Sequence, residues 1–526
     1  MMERAVDHRL HLFYDFTYKG DTAGDRLTEL RLAQIAPPGF LHSTRLTSEA
    51  PRAVGDKSAW EWAEFVVSKD LHPFVRSLLD SRLGRDSDSP QSFCIRLSSH
   101  GLNLLAGRYV SPVEHGPAQR RVGGLALTYS DGAGGTVTMP LAIDGVTVHL
   151  FQTCVGVAVV TLRARDATSG LDPDLLVETL PRLCDERRTP SIGWSDQRAA
   201  SDEARFTIGT VVRSLVEPGG CHFAERERVY SFCSLRFDGH IDERDRRDLA
   251  FRLSRHYSAR YRPTPQYDST FFVEPFDTVL HAASREGACT VVHGSVDDAG
   301  RSPEFIGTWM AQAHQRVYLP LQIATLHEHV ELLWLAQGAG RHIDPERTDE
   351  RQVAELENLC NRFLLFRLRY RLAQVSAITM HDLVYRATSE ALGLALLVEK
   401  IGRDLVAVEQ RLTVMMEKIQ AHHRRVFERR FRIVTSIGSA GLAYLTADTV
   451  ISRALEVAHG WHVATWWQDA QSWRLIAVAI GVVTYAYAWH HERSGGHDSA
   501  EMREHAVAEP VLESGESVSR RAEGSS

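Results

Sequence analysis

The sequence predicts an α+β cytoplasmic domain followed by a long helix or coiled coil and a two-helix transmembrane hairpin. Three observations lead to this fold class. Strand-like and helix-like runs alternate up to about residue 345, no proline occurs between Pro345 and Pro510, and two apolar segments lie close to the C-terminus. A chain of 526 residues is also too long for one compact core, so several domains are expected.

Composition excludes several classes of protein. The hydrophobic fraction of 44% and the charged fraction of 24% are ordinary for a folded protein and exclude a wholly disordered chain or a transporter with many spans. A net charge of −7 argues against a nucleic-acid partner. The 7 cysteines occur singly without a C-x-x-C pair, which favours a reducing compartment. The first 16 residues lack the apolar core of a secretory signal peptide.

Residues 1–345 read as the cytoplasmic domain, with a division into two subdomains near 190–205. Strands followed by a helix occur twice, which is typical of an α+β sandwich. These runs are Val146–Phe151 and Val157–Leu162 before a helix opening at Asp172, and Val229–Phe237 before a helix opening at Asp242. The domain shows no nucleophile elbow, phosphate loop or dinucleotide fingerprint, so the chain is not expected to be an enzyme.

Residues 346–432 are predicted to form a long helical stalk. Neither proline nor glycine occurs between Arg403 and Ile437, and either residue would weaken or break a helix. A helix from about Met380 to Leu445 is expected to reach on the order of 100 Å. Its apolar residues recur at spacings of three and four, which indicates packing against another helix: Leu397, Ile401, Leu405, Val408, Leu412, Met415 and Ile419.

The C-terminal region is predicted to cross a membrane twice, at 433–452 and 474–490. An exterior loop at 453–473 and a disordered cytoplasmic tail at 491–526 complete this topology. The flanking charges follow the positive-inside rule, which predicts a bacterial-type inner membrane protein with both termini in the cytoplasm. Residues expected at the membrane interface are Arg424, Arg425, Arg429, Arg430, Arg432, Trp461, Trp466, Trp467 and Trp473. The alternative is a pair of buried helices in a soluble domain.

The run from Phe363 to Ser376, FLLFRLRYRLAQVS, and the order of the elements that follow it resemble the CorA-like family of two-span divalent-metal transporters. The resemblance covers about residues 355–493. It implies a homo-oligomer, pentameric in that family, with a divalent cation as a candidate ligand. The Gly-Met-Asn motif of the family is absent, and the loop sequence His459-Gly-Trp-His462 matches only its glycine.

Two sets of side chains in this region are candidate ligands for ions. A carboxylate within an apolar span is costly and usually functional, so Asp448 is the first candidate for a pore-lining residue, although it could instead lie near water and pair with Arg453. The polar side of the same span adds the candidates Thr435, Ser436, Ser439 and Thr446. A second set is spaced to share one helix face and has side chains that bind transition metals: Glu456, His459 and His462.

The predicted function is ion permeation through a homo-oligomer, gated by an unknown ligand of the cytoplasmic domain. The alternative is a membrane-anchored sensor or scaffold, including a stress or defence effector, that conducts no ions and whose N-terminal domain binds the partner. The partners expected from the sequence are the lipid bilayer, further copies of the chain and that unknown ligand.

Overall fold

The computed structural model describes the chain in segments. They are residues 4–18, 60–63, 65–79, 92–105, 125–130, 135–164, 170–187, 192–194, 207–217, 221–223, 228–258, 271–294, 304–342 and 350–459, with the single positions 479, 483 and 486. The chain divides into two units, Met1–Leu412 and Thr413–Ser526, and the division falls within a helix.

The first unit contains a mixed β-sheet, and its described strands number 12. They are β1 (Asp7–Tyr18), β2 (Trp60–Trp62), β3 (Ser92–Leu97), β4 (Leu125–Ser130), β5 (Thr136–Phe151), β6 (Val155–Ala164), β7 (Ile192–Trp194), β8 (Cys221–Phe223), β9 (Tyr230–Phe237), β10 (Phe271–Phe276), β11 (Val279–Ala283) and β12 (Gly287–His293).

The described helices follow the strands or precede them along the chain. They are α1 (Pro73–Leu79), α2 (Ser99–Leu105), α3 (Pro173–Cys184), α4 (Ile208–Val216), α5 (Glu243–Arg255), α6 (Glu304–Thr308), a π-helix termed π1 (Met310–Tyr318), α7 (Leu319–His342), α8 (Glu350–Leu365), a second π-helix termed π2 (Phe366–Tyr370), α9 (Thr379–Ala391) and α10 (Leu394–His459).

Strand β1 lies in the middle of the sheet, whose main order is β10-β11-β12-β9-β1-β6-β5-β3-β2. The strand pairs described here are antiparallel except for β12 and β9, which run parallel. A parallel pair needs a crossover, and the chain between β9 and β12 supplies one with helix α5. The long strands β5 and β6 are paired antiparallel, with Leu150 opposite Gly156 and a register shift between Ile143 and Gly145.

The sheet is covered by helices on both faces. Alternate residues of β1, including Leu10, Leu12 and Phe16, belong to a core that also contains apolar residues of α3, α4 and α5. Successive side chains of a strand point to opposite faces, so His11 of β1 faces the other layer, where it meets His314 of π1. The first unit is therefore a three-layer α/β/α arrangement around β1.

Two helices begin where the sequence places their starts. Asp172 accepts a hydrogen bond from the backbone N–H of Asp174 at 3.0 Å, and Pro173 follows as the first helical residue of α3. Asp242 accepts one from the N–H of Arg244 at 3.3 Å at the start of α5. Aspartate caps satisfy amide groups that the helix itself leaves unbonded, which is why both starts are readable in the sequence.

The long helix differs from its prediction at its start. Instead of one helix from about Met380, α9 ends and α10 begins on either side of Gly393, whose φ is +69°. A residue with a side chain rarely adopts that conformation, whereas glycine does so easily. Helix α10 then continues for 66 residues to His459.

The predicted transmembrane hairpin is wrong for the part of the chain that the structure describes. Within those residues, no helix combines the length and the mean hydropathy that crossing a bilayer requires. Segment 433–452 lies inside α10, where serine, threonine and aspartate interrupt its apolar residues. The predictions of a membrane protein and of ion transport depended on this hairpin and have no support from the described residues. The second predicted span, apart from three isolated positions, and the tail at 491–526 lie outside the described residues.

Candidate functional site

The residues predicted to line a pore lie along the second half of α10. Three of them direct their hydroxyl groups to carbonyl oxygens of the same helix. The Thr435 hydroxyl donates to the Phe431 carbonyl at 2.8 Å, that of Ser436 to the Arg432 carbonyl at 2.7 Å, and that of Ser439 to the Ser436 carbonyl at 2.9 Å. Such bonds satisfy hydroxyls locally without any ligand. Thr446 and Asp448 lie further along α10, and a pore-lining role for all five stays a prediction of the sequence.

The predicted metal ligands are not assembled by the described residues. Glu456 and His459 lie in the last turn of α10, and His462 lies outside the described residues. Across the described segments, no group of three or more His, Cys, Asp or Glu side chains is arranged to hold a metal ion. Trp461, Trp466, Trp467 and Trp473, predicted at the membrane interface, also lie outside these segments.

The five predicted interface arginines are described, and all are exposed on α10. Arg424, Arg425, Arg429, Arg430 and Arg432 occupy three consecutive turns, and the only acidic residue among them is Glu428. We call residues 422–434 the basic segment. Its charge is concentrated because a single carboxylate stands among five guanidinium groups.

The basic segment also exposes aromatic and aliphatic side chains. Phe427 is 67% exposed, Phe431 59% and Val434 66%. The two phenyl rings stack on each other with centroids 6.2 Å apart and an interplanar angle of 18°. Large apolar groups grouped on a surface mark interaction sites more often than single exposed ones do. Sequence reasoning identified the arginines but missed these two phenylalanines, although their spacing of four residues in a helix was visible.

The angular arrangement of the basic segment separates a narrow apolar ridge from its charges. With about 100° per residue in an α-helix, Phe427, Phe431 and Val434 fall within about 60° of one another. Arg424 and Arg430 lie on either side of this ridge, each about 60° around the helix from Phe427. Arg425, Arg429 and Arg432 lie on the opposite side of the helix. The guanidinium groups therefore surround the helix instead of forming one charged face.

The first unit holds its ionisable groups in a different way, with charged and polar side chains buried between the sheet and α7. The Arg362 guanidinium forms a fork with Glu331, at 2.7 Å from Nε and 2.8 Å from Nη2, and stacks 3.6 Å from the ring centroid of Trp334. It also donates to the Thr153 carbonyl. The hydroxyl of Tyr385 donates to Glu328 at 2.7 Å. These contacts join α7, α8 and α9 to the sheet.

Histidines line the same buried layer. Nε2 of His11 lies 2.8 Å from Nε2 of His314, so one neutral ring donates to the other. His327 bonds to the Thr153 hydroxyl at 2.8 Å through Nε2. Burial lowers the pKa of both His11 and His327 to about 3. These imidazoles are neutral at ordinary pH and act as hydrogen-bonding parts of the core.

Sequence reasoning anticipated little of this network. The run His327-Glu328-His329 was noticed only for its lack of the spacing of a zinc protease. In the structure His327 and Glu328 are completely buried and have separate partners. The available signal was the composition of α7, in which Gln, Thr, His and Glu alternate with apolar residues on every side of the helix.

The fold defines the chain as a mixed α/β protein with helices on both sheet faces and a long C-terminal helix that exposes a basic segment. No family model matches the chain, and no curated protein matches it. The resemblance to CorA-like transporters stays a prediction of the sequence.

Proposed function

We propose that the chain is a non-enzymatic scaffold that recruits an acidic protein through the basic segment of α10. This proposal keeps the scaffold alternative of the sequence without its membrane anchor, and it moves the binding of the partner from the N-terminal domain to α10. The observation that carries the proposal is the exposed ridge of Phe427, Phe431 and Val434 flanked by arginines. An apolar ridge supplies binding energy when buried in a groove, and guanidinium groups pair with carboxylates at its rim.

The spacing of the ridge matches a common mode of recognition. Residues at i, i+4 and i+7 form the face that an amphipathic helix inserts into an apolar groove. Phe427, Phe431 and Val434 have this spacing. Aromatic and arginine side chains are also the types most often found at the energetic centre of interfaces.

The distribution of charge favours a protein groove over a flat lipid surface. A helix lying on a flat bilayer contacts it through its apolar face and through the cations that flank that face. Here Arg425, Arg429 and Arg432 lie opposite the ridge, where a flat surface beneath the phenylalanines does not reach them. A groove with acidic walls contacts more of the helix circumference. The occupant we propose is therefore an acidic protein with an apolar groove.

The experiment uses calcium-loaded calmodulin as the probe, because it presents an apolar groove to basic amphipathic helices. Binding of the purified full chain is measured by fluorescence anisotropy of labelled calmodulin at several salt concentrations. We expect binding that requires calcium and weakens with salt. Phe427→Ala with Phe431→Ala should weaken it about 30-fold or more, as loss of a central anchor does. Replacement of Arg425, Arg429 and Arg432 by Gln should reduce its salt dependence.

The control variant is Val406→Ala, which removes an exposed apolar residue of α10 outside the basic segment and should leave binding unchanged. Vesicles of phosphatidylserine and phosphatidylcholine, and duplex DNA, are measured in parallel. Binding to vesicles or DNA but not to calmodulin would replace the proposed partner by that other class. Equal binding of the double phenylalanine variant and the wild type would overturn the role of the ridge.

A further inference from the structure

The first unit contains an open cleft beside the central strand β1. Its walls come from β1, α4 and β8, from Glu186 just after α3, and from the two residues that precede β9. The side chains that determine its chemistry are Phe13, Asp15, Glu186, Arg213, Phe223 and Arg228. Small-molecule sites are usually concave and place a few convergent polar groups among apolar ones.

Glu186 in this cleft already has its hydrogen-bond donors. Its Oε1 accepts from the N–H of Gly209 at 3.1 Å and from the Tyr14 hydroxyl at 3.4 Å, and its Oε2 accepts from the Thr207 hydroxyl at 3.2 Å. Burial also raises the pKa of Glu186, which disfavours its charged form. Glu186 thus holds the start of α4 through hydrogen bonds, and the charge of Arg213 also acts on it without a hydrogen bond between the two side chains.

The two arginines of the cleft lie beyond ion-pair distance of the described carboxylates. Within those residues neither Arg213 nor Arg228 forms an ion pair, and Nε of Arg213 is buried without a hydrogen-bond partner. Buried donors are nearly always bonded, so an unbonded one that borders a cleft indicates a missing acceptor. Arg228 is exposed at the rim, where it can approach the same acceptor.

We propose that this cleft binds a small organic phosphate. Two guanidinium groups can donate at once to the oxygens of one phosphate group. Phe13 and Phe223 line the cleft with aromatic surface that suits an apolar part of the ligand. A bare inorganic anion would use only the arginines. This proposal does not depend on the basic segment of α10.

The test is calorimetric titration of the purified full chain with AMP, inorganic phosphate and adenosine. We expect AMP to bind more tightly than inorganic phosphate, and adenosine to show no binding, because the phosphate supplies the contact with the arginines. Arg213→Gln and Arg228→Gln should each weaken AMP binding about tenfold or more, the usual effect of losing a hydrogen bond to a charged group. Arg244→Gln, which removes an exposed arginine of α5, is the matched control and should change nothing.

Arg228→Gln keeps the test valid if Arg213→Gln fails to fold, because Arg228 lies at the surface. Binding of inorganic phosphate as tight as that of AMP would reduce the proposal to a simple anion site and overturn the organic ligand. Absence of binding by both, or equal binding by wild type and Arg228→Gln, would overturn the site itself. Binding of calmodulin should be the same in Arg228→Gln and wild type, so failure of one proposal is distinguishable from failure of the other.

Discussion

Arginines have opposite surroundings in the two units of the chain. In the first unit, Arg362 is 18% exposed at its side chain and is held by Glu331, Trp334 and the Thr153 carbonyl. In the second, Arg429 and its neighbours in the basic segment are exposed, with Glu428 as the only nearby acidic residue in sequence. The same side chain is therefore a part of the core in one unit and a part of the surface in the other.

This difference separates stability from recognition. A buried charge requires its partner, because an unpaired one bears the full cost of leaving water. An exposed charge contributes little to folding and remains available to an outside partner. Changes to the buried groups of the first unit should thus alter the free energy of unfolding, whereas changes to the basic segment should alter binding alone. Three measurements test this separation of stability from recognition.

The largest expected effect is loss of stability in acid through buried histidines. Burial lowers the pKa to about 3 for each of five histidines, namely His11, His149, His256, His281 and His327. Below pH 6.5 the unfolded chain takes up protons that the folded chain does not. The free energy of unfolding should therefore be full above pH 6.5 and fall as the pH decreases toward 3, by up to ~1.4 kcal/mol per pH unit for each histidine.

Urea denaturation at pH 7, 6 and 5 measures this slope. His149→Leu should make it shallower, because one buried titrating group is removed. Replacement of the exposed His422 and His423 of α10 by Gln should leave it unchanged. A flat profile between pH 7 and 5 would contradict the assignment of these histidines as buried and neutral.

The next effect concerns the buried ion pair. Arg362→Ala leaves Glu331 completely buried without its fork and should cost about 3–5 kcal/mol of unfolding free energy. The surface counterpart, Arg429→Ala, should change stability by less than ~0.5 kcal/mol. Chemical denaturation at pH 7 measures both. Replacing Arg362 and Glu331 together by Met should cost less than Arg362→Ala alone; an equal or larger cost would show that packing, and not the unpaired charge, dominates.

The smallest of the three effects concerns Glu328. Burial raises its pKa to about 8, above the ordinary value of 4.5, so the folded chain keeps a proton that the unfolded chain loses. Stability from this group is present below pH 4.5 and is lost as the pH rises toward 8. Glu328→Gln keeps an acceptor for Tyr385 and removes this loss, so its stability relative to that of wild type should increase by about 1 kcal/mol from pH 7 to pH 8. Thermal or urea unfolding measures it, and Glu428→Gln on exposed α10 should show no such trend.

Local signals made part of the fold predictable. The strands at Val146–Phe151, Val157–Leu162 and Val229–Phe237 and the helices opening after Asp172 and Asp242 are present, because β-rich runs and aspartate caps are local properties. Strand order could not be read in the same way. The parallel pairing of β12 with β9 depends on contacts between segments far apart in sequence.

The long helix shows where periodicity misleads. Its apolar stripe predicts packing against another helix, and Ile401, Leu405 and Val408 are indeed buried. Part of the covering surface lies within the chain, since burial and then the nearby charge of Glu409 of α10 raise the pKa of the Cys360 thiol of α8. A heptad pattern records that a helix face is buried and not which helix buries it. The apolar segment at 433–452 misled for a related reason, since apolar content alone does not define a membrane span.

Of the candidate sites, the sequence revealed the arginines of α10 and none of the cleft in the first unit. The arginines lie within nine residues of one helix, so they are close in space because they are close in sequence. The cleft combines Phe13, Glu186 and Arg228 from separate parts of the chain, and only the pairing of β1 with β8 and β9 brings their elements together.

Gly393 has a consequence for how the chain can vary. In a continuous helix, each residue has a fixed angular position relative to every other residue. The side of α9 that packs on β10 would then determine which residues of α10 face solvent. The left-handed conformation of Gly393 ends this fixed angular relation between α9 and α10. A Cβ at this position would meet no atom within 4 Å, so it is the backbone conformation alone that requires glycine. The exposed part of α10 beyond its buried residues can therefore change in sequence without altering the register of α9.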